Sequence, residues 1–353
     1  MRKQLTMIQL SRALVPIFVM LFHANSFMNF YFQYDFMSLI NVEKSGGVYY
    51  FFALSGFMVY YLHHNEMGSG SGIKKFLYSR FIKIFPIYWI WNLCILPFPF
   101  LFFGIITNAD RSISSIIASL LLLPREAAPL LIVAWSLVHT VFFYLVFSLT
   151  FFKNKWLSIC IPVIWIIVSI AFSFNILSSS NYYINFLFNS YNLIFILGAA
   201  CAYFVQKIKL NSYVASSIAC IGLLGFPVSW IMIQYGLMEI NLEHMTTLSS
   251  VLLILGCSSI DLQRDIKIPK FAKLLGDASF SIYLTHFSIM SAICISLRSM
   301  PYININGFLL GILLMLISII FGCLLYRYVE KPFHRWLKNL LVRKQTILAA
   351  REI

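Results

Sequence analysis

The strongest constraint on the fold is a series of long apolar segments that recurs along almost the whole chain. Most are about 20 residues long, the length that an α-helix needs to cross a hydrocarbon core roughly 30 Å thick. The ten segments cover residues 8–29, 46–62, 82–104, 131–151, 156–174, 190–206, 212–235, 246–260, 279–297 and 306–328. The sequence therefore predicts an all-α, polytopic membrane protein with about ten transmembrane helices.

The composition excludes the other broad classes of protein. Hydrophobic residues make up 60% of the chain and charged residues only 11%, whereas soluble domains have about 45–50% and about 25%. So few charged side chains cannot cover a soluble enzyme of 353 residues. One further apolar segment, residues 113–123, is too short to cross a membrane, and we expect it to form an interfacial or re-entrant helix.

The basic residues predict how the helices are oriented. With a cytoplasmic N-terminus and alternating sides, 22 of the 26 Lys and Arg residues fall in cytoplasmic segments, and only Lys44, Arg111, Arg125 and Arg298 fall outside. Cytoplasmic loops of membrane proteins carry such an excess. We therefore expect both termini in the cytoplasm. Topology and contact with anionic lipids account for the net charge of +14, so we expect no nucleic-acid partner.

Polar side chains inside the predicted spans are the candidate functional residues, because ionisable groups are costly in hydrocarbon. Arg12 and His23 are eleven residues apart, which places them on nearly the same helical face and about 16 Å apart along the axis. Taken singly, Arg12 is explained as a membrane anchor and His23 as an interhelical hydrogen-bonding residue. Their shared face favours a functional pair. His139 and His286 are the comparable residues of the fourth and ninth spans.

A second basic pair comes at the start of the third span. Arg80 and Lys83 are i, i+3 neighbours on one helical face, an arrangement suited to holding phosphate groups together. Anchoring at the cytoplasmic surface explains the pair equally well. In the second span, Ser55 and Gly56 allow another helix to approach closely. The chain has no Cys-x-x-Cys pair, and we expect no metal site.

Together these residues form short motifs that resemble the integral-membrane acyltransferase-3 family, in particular its exopolysaccharide-modifying branch. The motifs are Arg12-x10-His23; Phe51-Phe52-x-x-Ser55-Gly56-Phe57; Arg80-x-x-Lys83 followed by Pro86 and Tyr88; Trp135-Ser136-Leu137 with Phe143-Tyr144-Leu145; Leu197-Gly198; Leu275-Gly276-x-x-Ser279-x-Ser281-Ile282-Tyr283-Leu284-x-His286; and Glu330-Lys331-Pro332. Each motif alone is weak. Seven of them in the right order on ten predicted spans are a specific signal.

The resemblance implies the transfer of an acyl group, usually acetyl, from cytoplasmic acyl-coenzyme A to a hydroxyl of lipopolysaccharide, exopolysaccharide or another envelope glycan. His23 then corresponds to the family's essential histidine. The donor-site cations are Arg12, Arg80 and Lys83. Supporting or acceptor-site candidates are Ser55, Gly56, Trp135, His139, Tyr144, Tyr283 and His286. The implied partners are acyl-coenzyme A, a glycan or lipid-linked sugar and membrane lipids. Acyl-coenzyme A is a donor substrate, and no permanently bound cofactor is expected.

The sequence departs from the family pattern at three positions. Thr140 stands where the fourth-span pattern has Glu, with His139 beside it. Ile194 stands where an acid sometimes precedes the span-six motif, and Lys83 stands where Arg is more usual. The loss of a carboxylate removes a group able to orient a histidine. A degenerate, non-catalytic homologue is therefore an alternative interpretation.

A transporter or flippase of lipid-linked glycans is the alternative from another functional class, because it would share this composition and topology. The sequence shows no inverted repeat and no paired Gly- or Pro-interrupted helices, which are typical of transporters. We expect one acyltransferase-like transmembrane domain over residues 1–335 and a basic cytoplasmic tail over residues 336–353. The expected location is the cytoplasmic (inner) membrane of a bacterium.

Overall fold

The computed structural model describes residues 3–37, 45–97, 112–154, 156–237, 241–299 and 306–339, and this part of the chain is helical, without β-strands. Its helices are α1 (Thr6–Phe32), α2 (Gly47–His63), α3 (Ile73–Ile95), α4 (Ile113–Leu120), α5 (Trp135–Ser148), α6 (Ile161–Ser173), α7 (Tyr182–Leu187), α8 (Tyr191–Lys207), α9 (Ser212–Gln234), α10 (Leu242–Gln263), α11 (Lys270–Arg298) and α12 (Gly307–Leu325). Short 3₁₀ or π-helical turns extend some of them: His64–Glu66, Ile132–Ala134, Leu149–Phe151, Trp156–Cys160 and Tyr326–Glu330.

Each of the ten predicted spans contains one long helix. Within the described residues, eight helical segments are long and apolar enough to cross a membrane, and they include all of these helices except α2 and α3. Helix α2 has only 17 residues, and α3 carries Lys74, Lys75, Arg80 and Lys83. The prediction of an all-α, polytopic membrane protein is confirmed. Membrane crossing by α2 and α3 and the cytoplasmic location of both termini stay predictions.

Two short helices lie outside the predicted spans. Helix α4 coincides with the apolar segment 113–123, and the Ser112 hydroxyl caps its first turn. Side chains of α3 hold its end, because the Tyr88 hydroxyl donates to the Ser119 carbonyl and the Trp89 indole N–H to the Leu120 carbonyl, both at 2.8 Å. Its interfacial position stays a prediction. Helix α7 was not predicted, and it lies just before the sixth predicted span.

The end of the third predicted span (98–104) and the tail from residue 340 onward lie outside the described residues. Residues 336–339 at the start of the predicted tail continue the last helix.

The outer and inner surfaces of the helices show the pattern expected in lipid. Large aliphatic side chains face outward on α6, α9 and α12, among them Ile167 (59% exposed), Leu224 (60%) and Ile320 (57%). Buried positions of α10 instead carry a row of hydroxyl residues: Ser249, Ser250, Ser258 and Ser259. Small polar residues are typical of contacts between membrane helices, because they let backbones approach closely.

Glycines set the closest helix contacts. A Cβ atom at Gly56 of α2 would collide with the Phe195 carbonyl oxygen of α8, and one at Gly198 of α8 would collide with the Ala53 carbonyl oxygen of α2. The two backbones therefore touch at a reciprocal pair of small residues, in the manner of small-residue membrane interfaces. The glycines of the Ser55-Gly56 and Leu197-Gly198 motifs are therefore required for the close packing of α2 on α8.

Helix α1 packs between α10 and α11. It packs most extensively on α11, and a Cβ at Gly276 of α11 would collide with the Gln9 backbone. At its N-terminus the buried Asp261 carboxylate of α10 accepts hydrogen bonds from the backbone N–H groups of Met7 (2.7 Å) and Ile8 (3.0 Å). A carboxylate there satisfies free N–H groups and favours the positive end of the helix dipole. The position of α1 is thereby fixed.

Candidate active site

A cavity of about 310 Å³ lies between α1, α2, α3, α5 and α11, and we call it the central cavity. Helix α1 contributes residues near its N-terminal end, and α11, which packs against α1, contributes residues from Asp277 to Tyr283. Six of the residues singled out in the sequence line it: Arg12, Ser55, Arg80, Lys83, Tyr144 and Tyr283. The cavity therefore gathers side chains that are far apart in the sequence.

The central cavity is long, because its lining follows α2 from Val48 to Leu62. At 1.5 Å per residue this corresponds to about 21 Å of helix, most of a hydrocarbon core roughly 30 Å thick. At one end the lining includes Lys3 and Gln4, which precede α1, and at the other end it includes Val48 at the start of α2. The cavity thus runs from the N-terminal end of α1, here called the basic end, toward the middle of the bundle, here called the deep end.

The basic end carries the three cations predicted to bind a donor. Among the described residues, neither Arg12 nor Arg80 nor Lys83 forms an ion pair with a carboxylate. The Arg80 guanidinium lies 5.4 Å from the Phe76 ring centre and 5.3 Å from that of Tyr144, and its buried Nε has no hydrogen-bond partner. Cation–π contacts hold the group in place while leaving its hydrogen-bond donors free. The cations are therefore available to an anionic ligand.

A chain of side-chain hydrogen bonds fixes Arg12. Its guanidinium donates to the Gln9 side-chain carbonyl and to the Ser279 hydroxyl, both at 3.1 Å. The Gln9 amide in turn donates to the Asp277 carboxylate at 2.5 Å. Asp277 and Ser279 belong to the Leu275-Gly276 motif of α11, so this motif positions an arginine of α1. Asp277 was not singled out in the sequence, although its place between motif residues was a usable signal.

Glu330 is the second carboxylate near the cations, after Asp277. In the sequence it stands out only as part of the Glu330-Lys331-Pro332 motif at the end of the last helix. It is 8% exposed, and it accepts a hydrogen bond of 2.5 Å from the Ser281 hydroxyl of α11. Lys83 and Arg12 are among the charges that act on it. The Glu330-Lys331-Pro332 motif therefore places a buried carboxyl group against α11, the helix that also bonds to Arg12.

The deep end of the cavity stops about one helical turn short of His23. A Cβ at Gly47 would lie 2.6 Å from a Val19 methyl group, so the Val48 end of the cavity is level with Val19 of α1. His23 follows four residues later, which is about 6 Å further along the axis.

His23 and His286 form a pair beyond the deep end. Their ring centres are 5.2 Å apart, and the edge-on contact of His23 with Phe287 is 5.3 Å. Because Arg12 bonds to Ser279 and His23 contacts His286, both side chains of α1 face α11. The shared helical face predicted from their spacing is present.

The hydrogen-bond partners of His286 define its tautomer. Its Nδ1 lies 2.7 Å from the Tyr283 carbonyl oxygen and 3.3 Å from that of Ile282. A carbonyl only accepts, so Nδ1 carries the hydrogen and Nε2 of the neutral ring is the acceptor. That Nε2 is buried and has no hydrogen-bond partner. The pair thus contains an unused proton acceptor, which is an uncommon arrangement for a buried polar atom.

Tyr283 forms the wall between the cavity and the histidines. Its side chain lines the cavity, and its ring centre lies 5.8 Å from that of His286. The phenol donates to the Val133 carbonyl at 2.9 Å and contacts the Ser136 hydroxyl at 2.9 Å. Helix α5 therefore holds Tyr283 across the deep end.

The remaining candidates lie in two different places. Thr140 lines the cavity, and its hydroxyl donates to the Ser136 carbonyl of its own helix at 2.9 Å. His139 lies away from the cavity lining, stacked on Phe186 with ring centres 4.5 Å apart. Trp135 packs beside it, 6.1 Å away between ring centres. The structure therefore does not bring His139 or Trp135 to the cavity, and Gly56 faces α8.

No group of three or more potential metal-ligating side chains occurs within the described ranges. The polar groups that the structure brings together are cations, hydroxyls, imidazoles and the carboxyl groups of Asp277 and Glu330, and the cations and imidazoles suit anion binding and proton transfer.

The fold and the cavity define a multi-pass membrane protein with an internal cavity lined by cations. Residues 7–328 match the model of an acyltransferase domain, and the chain belongs to this acyltransferase-3 family of membrane acyltransferases. The resemblance inferred from the motifs is thereby confirmed. The chain is also 24% identical over 259 residues to the exopolysaccharide production protein ExoZ of Rhizobium meliloti (strain 1021). The aligned region covers 70% of this chain and 77% of ExoZ. No solved structure matches the chain significantly.

Proposed function

We propose that this membrane acyltransferase moves an acyl group, in particular acetyl, from cytoplasmic acyl-coenzyme A to a hydroxyl of an exported or cell-envelope glycan. The observation that carries this proposal is the central cavity, which joins three unpaired cations at one end to a wall adjoining two histidines at the other. Coenzyme A has the same polarity, with phosphates at one end and a thioester at the end of its flexible pantetheine arm. Membership of the family and similarity to an exopolysaccharide production protein support the same assignment.

Arg12, Arg80 and Lys83 bind the diphosphate of the donor in this proposal. Charge-assisted hydrogen bonds to phosphate are about twice as strong as neutral ones. The arm then extends along α2 past Ser55, toward Tyr283. Both the depth of the cavity and the fixed position of Arg12 favour this alignment, because the thioester must reach the level of the histidines while the phosphates stay at the basic end.

His23 acts as the general base on the acceptor. As its imidazole takes the proton, the sugar oxygen forms a bond to the acyl carbon, the C–S bond breaks, and the proton passes to the coenzyme A thiolate. His286 supports this step, because its ring lies 5.2 Å from that of His23 between ring centres and its buried Nε2 has no hydrogen-bond partner among the described residues. General-base assistance of this kind contributes about 10²–10⁴-fold.

The absence of a glutamate at Thr140 does not prevent this chemistry in our proposal. The position lines the cavity wall, and the hydroxyl is satisfied within α5. His286 obtains its orientation elsewhere, from the backbone carbonyls of Tyr283 and Ile282, and the ring of His23 packs against His286 and Phe287.

Transfer of label tests the function directly. Membranes containing the protein are incubated with [¹⁴C]acetyl-coenzyme A and the envelope glycans are then isolated. We expect base-labile label on the glycan, in the manner of an ester, which disappears in the His23→Ala variant. Glycan that appears on the outer face without any label would instead identify a flippase.

The location proposed is the cytoplasmic membrane of a bacterium, with both termini and the loop between α2 and α3 on the cytoplasmic side. This follows from the distribution of Lys and Arg residues. A Ser69→Cys variant, in a background where the exposed Cys94 and Cys220 are replaced, should stay unlabelled by an impermeant thiol reagent in intact cells and become labelled after lysis. Labelling in intact cells would reverse the orientation.

A further inference from the structure

A second polar cavity adjoins the basic end of the central cavity. It has a volume of about 410 Å³ and lies between the C-terminal ends of α2, α8 and α10, and we call it the Tyr61 pocket. Its lining residues are Tyr61, Val205, Gln206, Ile208, Lys209, Ser259, Leu262 and Gln263. Volumes of about 300–1,000 Å³ are typical of pockets for small organic ligands.

The two cavities share a wall. Tyr61 lines both of them. Lys3 lines the central cavity, and its ammonium group donates to the carbonyl of Leu262, which lines the Tyr61 pocket, at 3.4 Å. The two cavities are therefore adjacent at the basic end.

The pocket contains an unused polar group in its floor. Ser259 is only 3% exposed, and its hydroxyl has no hydrogen-bond partner. Nearby, the Gln263 amide is already committed, since it donates to the carbonyls of Leu210 (2.5 Å) and Ser259 (3.0 Å). Buried hydroxyls without a partner are uncommon, and one that lines a cavity is suited to a ligand.

We infer that the Tyr61 pocket holds the 3′-phosphorylated adenosine of the acyl-coenzyme A donor. This inference rests on the proposed function, and it extends the donor site to residues that no motif includes. One face of the Tyr61 ring stacks on Phe57, with ring centres 5.7 Å apart, and the adenine stacks on the other face. The Lys209 ammonium neutralises the 3′-phosphate, and the Ser259 hydroxyl bonds to the base or ribose.

The shape of coenzyme A determines which cations bind its diphosphate and which cation binds its 3′-phosphate. The diphosphate lies between the adenosine and the pantetheine arm, so cations for it belong at the junction of the two cavities. Arg12, Arg80 and Lys83 stand at the basic end of the central cavity, on the pantetheine side of that junction. The additional 3′-phosphate needs a separate cation, and Lys209 is the basic residue lining the Tyr61 pocket.

The test compares two ligands that differ only in the 3′-phosphate. Binding of coenzyme A and of 3′-dephospho-coenzyme A to the full-length protein in nanodiscs is measured by calorimetry. We expect wild-type protein to bind coenzyme A about 10-fold more tightly, the size of one charge-assisted contact to phosphate. Lys209→Gln should weaken coenzyme A binding by the same factor and leave 3′-dephospho-coenzyme A binding unchanged.

Lys207→Gln is the matched control, because this lysine is two residues away, is exposed, and lines neither cavity. It should bind both ligands like the wild type. A Tyr61→Ala variant should weaken both ligands about 5-fold or more through the lost stacking, and Tyr61→Phe should restore both affinities because it keeps the ring.

The outcomes separate this inference from the proposed function. If Lys209→Gln binds coenzyme A like the wild type, or weakens both ligands equally, the pocket does not read the 3′-phosphate and the inference is wrong, while donor binding by the protein stands. An anionic lipid headgroup in the pocket gives this same result. If the wild-type protein binds neither ligand, the donor assignment itself fails together with this inference.

Discussion

At the basic end of the central cavity, α1 and α11 contact each other through hydrogen bonds, whereas near the deep end they contact through aromatic rings. Arg12 is held by Gln9 and Ser279. His23 lies on the same face of α1, about three helical turns further along. It contacts the rings of His286 and Phe287. The first arrangement fixes a charge in space. The second leaves Nε2 of His286 without a hydrogen-bond partner in the described part of the chain, among apolar and aromatic side chains, as a proton acceptor requires.

This difference between the two ends of the α1–α11 contact assigns donor binding to one end and the chemical step to the other. Several cations share the binding of phosphates, so the loss of one weakens binding by a limited factor. The histidines have no comparable substitute among the residues around them. Variants at the deep end should therefore affect turnover, and variants at the basic end should affect donor affinity.

The largest effect is expected at His23. His23→Ala and His23→Gln should lower transfer per folded molecule by at least about 10²-fold, because general-base assistance is lost, while coenzyme A binding stays within about 2-fold of wild type. Transfer is measured with labelled acetyl-coenzyme A on purified, monodisperse protein.

The control for this experiment is His244→Ala, since His244 is exposed at the start of α10. It should leave turnover unchanged. Near-normal turnover in either His23 variant would end the assignment of His23 as the base.

The next largest effect is expected at Arg80. Arg80→Ala should weaken coenzyme A binding about 10-fold or more, since a charge-assisted contact contributes about 1.5–3 kcal/mol, and higher salt should weaken the wild type further. Calorimetry at two salt concentrations measures both effects. Lys75→Ala on the same helix is the control, because Lys75 is exposed and does not line the cavity. Equal affinities in the two variants would remove Arg80 from the donor site.

A smaller effect is expected at Gln9, whose side chain accepts a hydrogen bond from Arg12. Gln9→Leu removes the hydrogen bonds to Arg12 and Asp277, so the KM for acyl-coenzyme A should rise by about 2- to 10-fold, the equivalent of one ordinary hydrogen bond. The kcat should change little, because the deep end is untouched. A fall in kcat with a constant KM would contradict the positioning role.

The smallest effect is expected at Thr140. Because this residue lines the cavity, a carboxylate there avoids most of the cost of about 2.5–3.5 kcal/mol for a charge in the lipid core. Thr140→Glu should therefore fold normally and raise transfer, or widen the range of acceptors, by a few-fold. Transfer to a panel of glycan acceptors measures this. Lower activity in a well-folded variant would show that the position has acquired another use in this protein.

Much of the fold was predictable because the hydrocarbon imposes a length and an apolar composition on each helix. A long helix was predicted in this way in each of the ten segments, eight helical segments of the described chain are long and apolar enough to cross a membrane, and helical geometry placed Arg12 and His23 on one face. Helix α7 was missed because it has only six residues, too few for any periodic signal.

The site was predictable to the extent that its residues carry charge inside apolar segments. Arg80 and Lys83 stood out for this reason, and they do line the cavity. The role of Asp277 was not predictable, because it depends on contact between α1 and α11, which lie more than 250 residues apart in sequence. Periodicity also cannot tell a histidine that faces a cavity from one that faces another helix. His139, which stacks on Phe186, shows this difference.

The π-helical turn Tyr326–Glu330 has a consequence for how the site tolerates changes in chain length. A turn closed by i→i+5 hydrogen bonds contains one residue more than an α-helical turn, so it acts as a built-in insertion. Residues after it are rotated by up to about 100° relative to an uninterrupted helix. Glu330 is the last residue of this turn, and its carboxyl group accepts a hydrogen bond from the Ser281 hydroxyl of α11. Substitutions elsewhere in the turn keep its length, whereas the deletion of a single residue would rotate Glu330 away from Ser281.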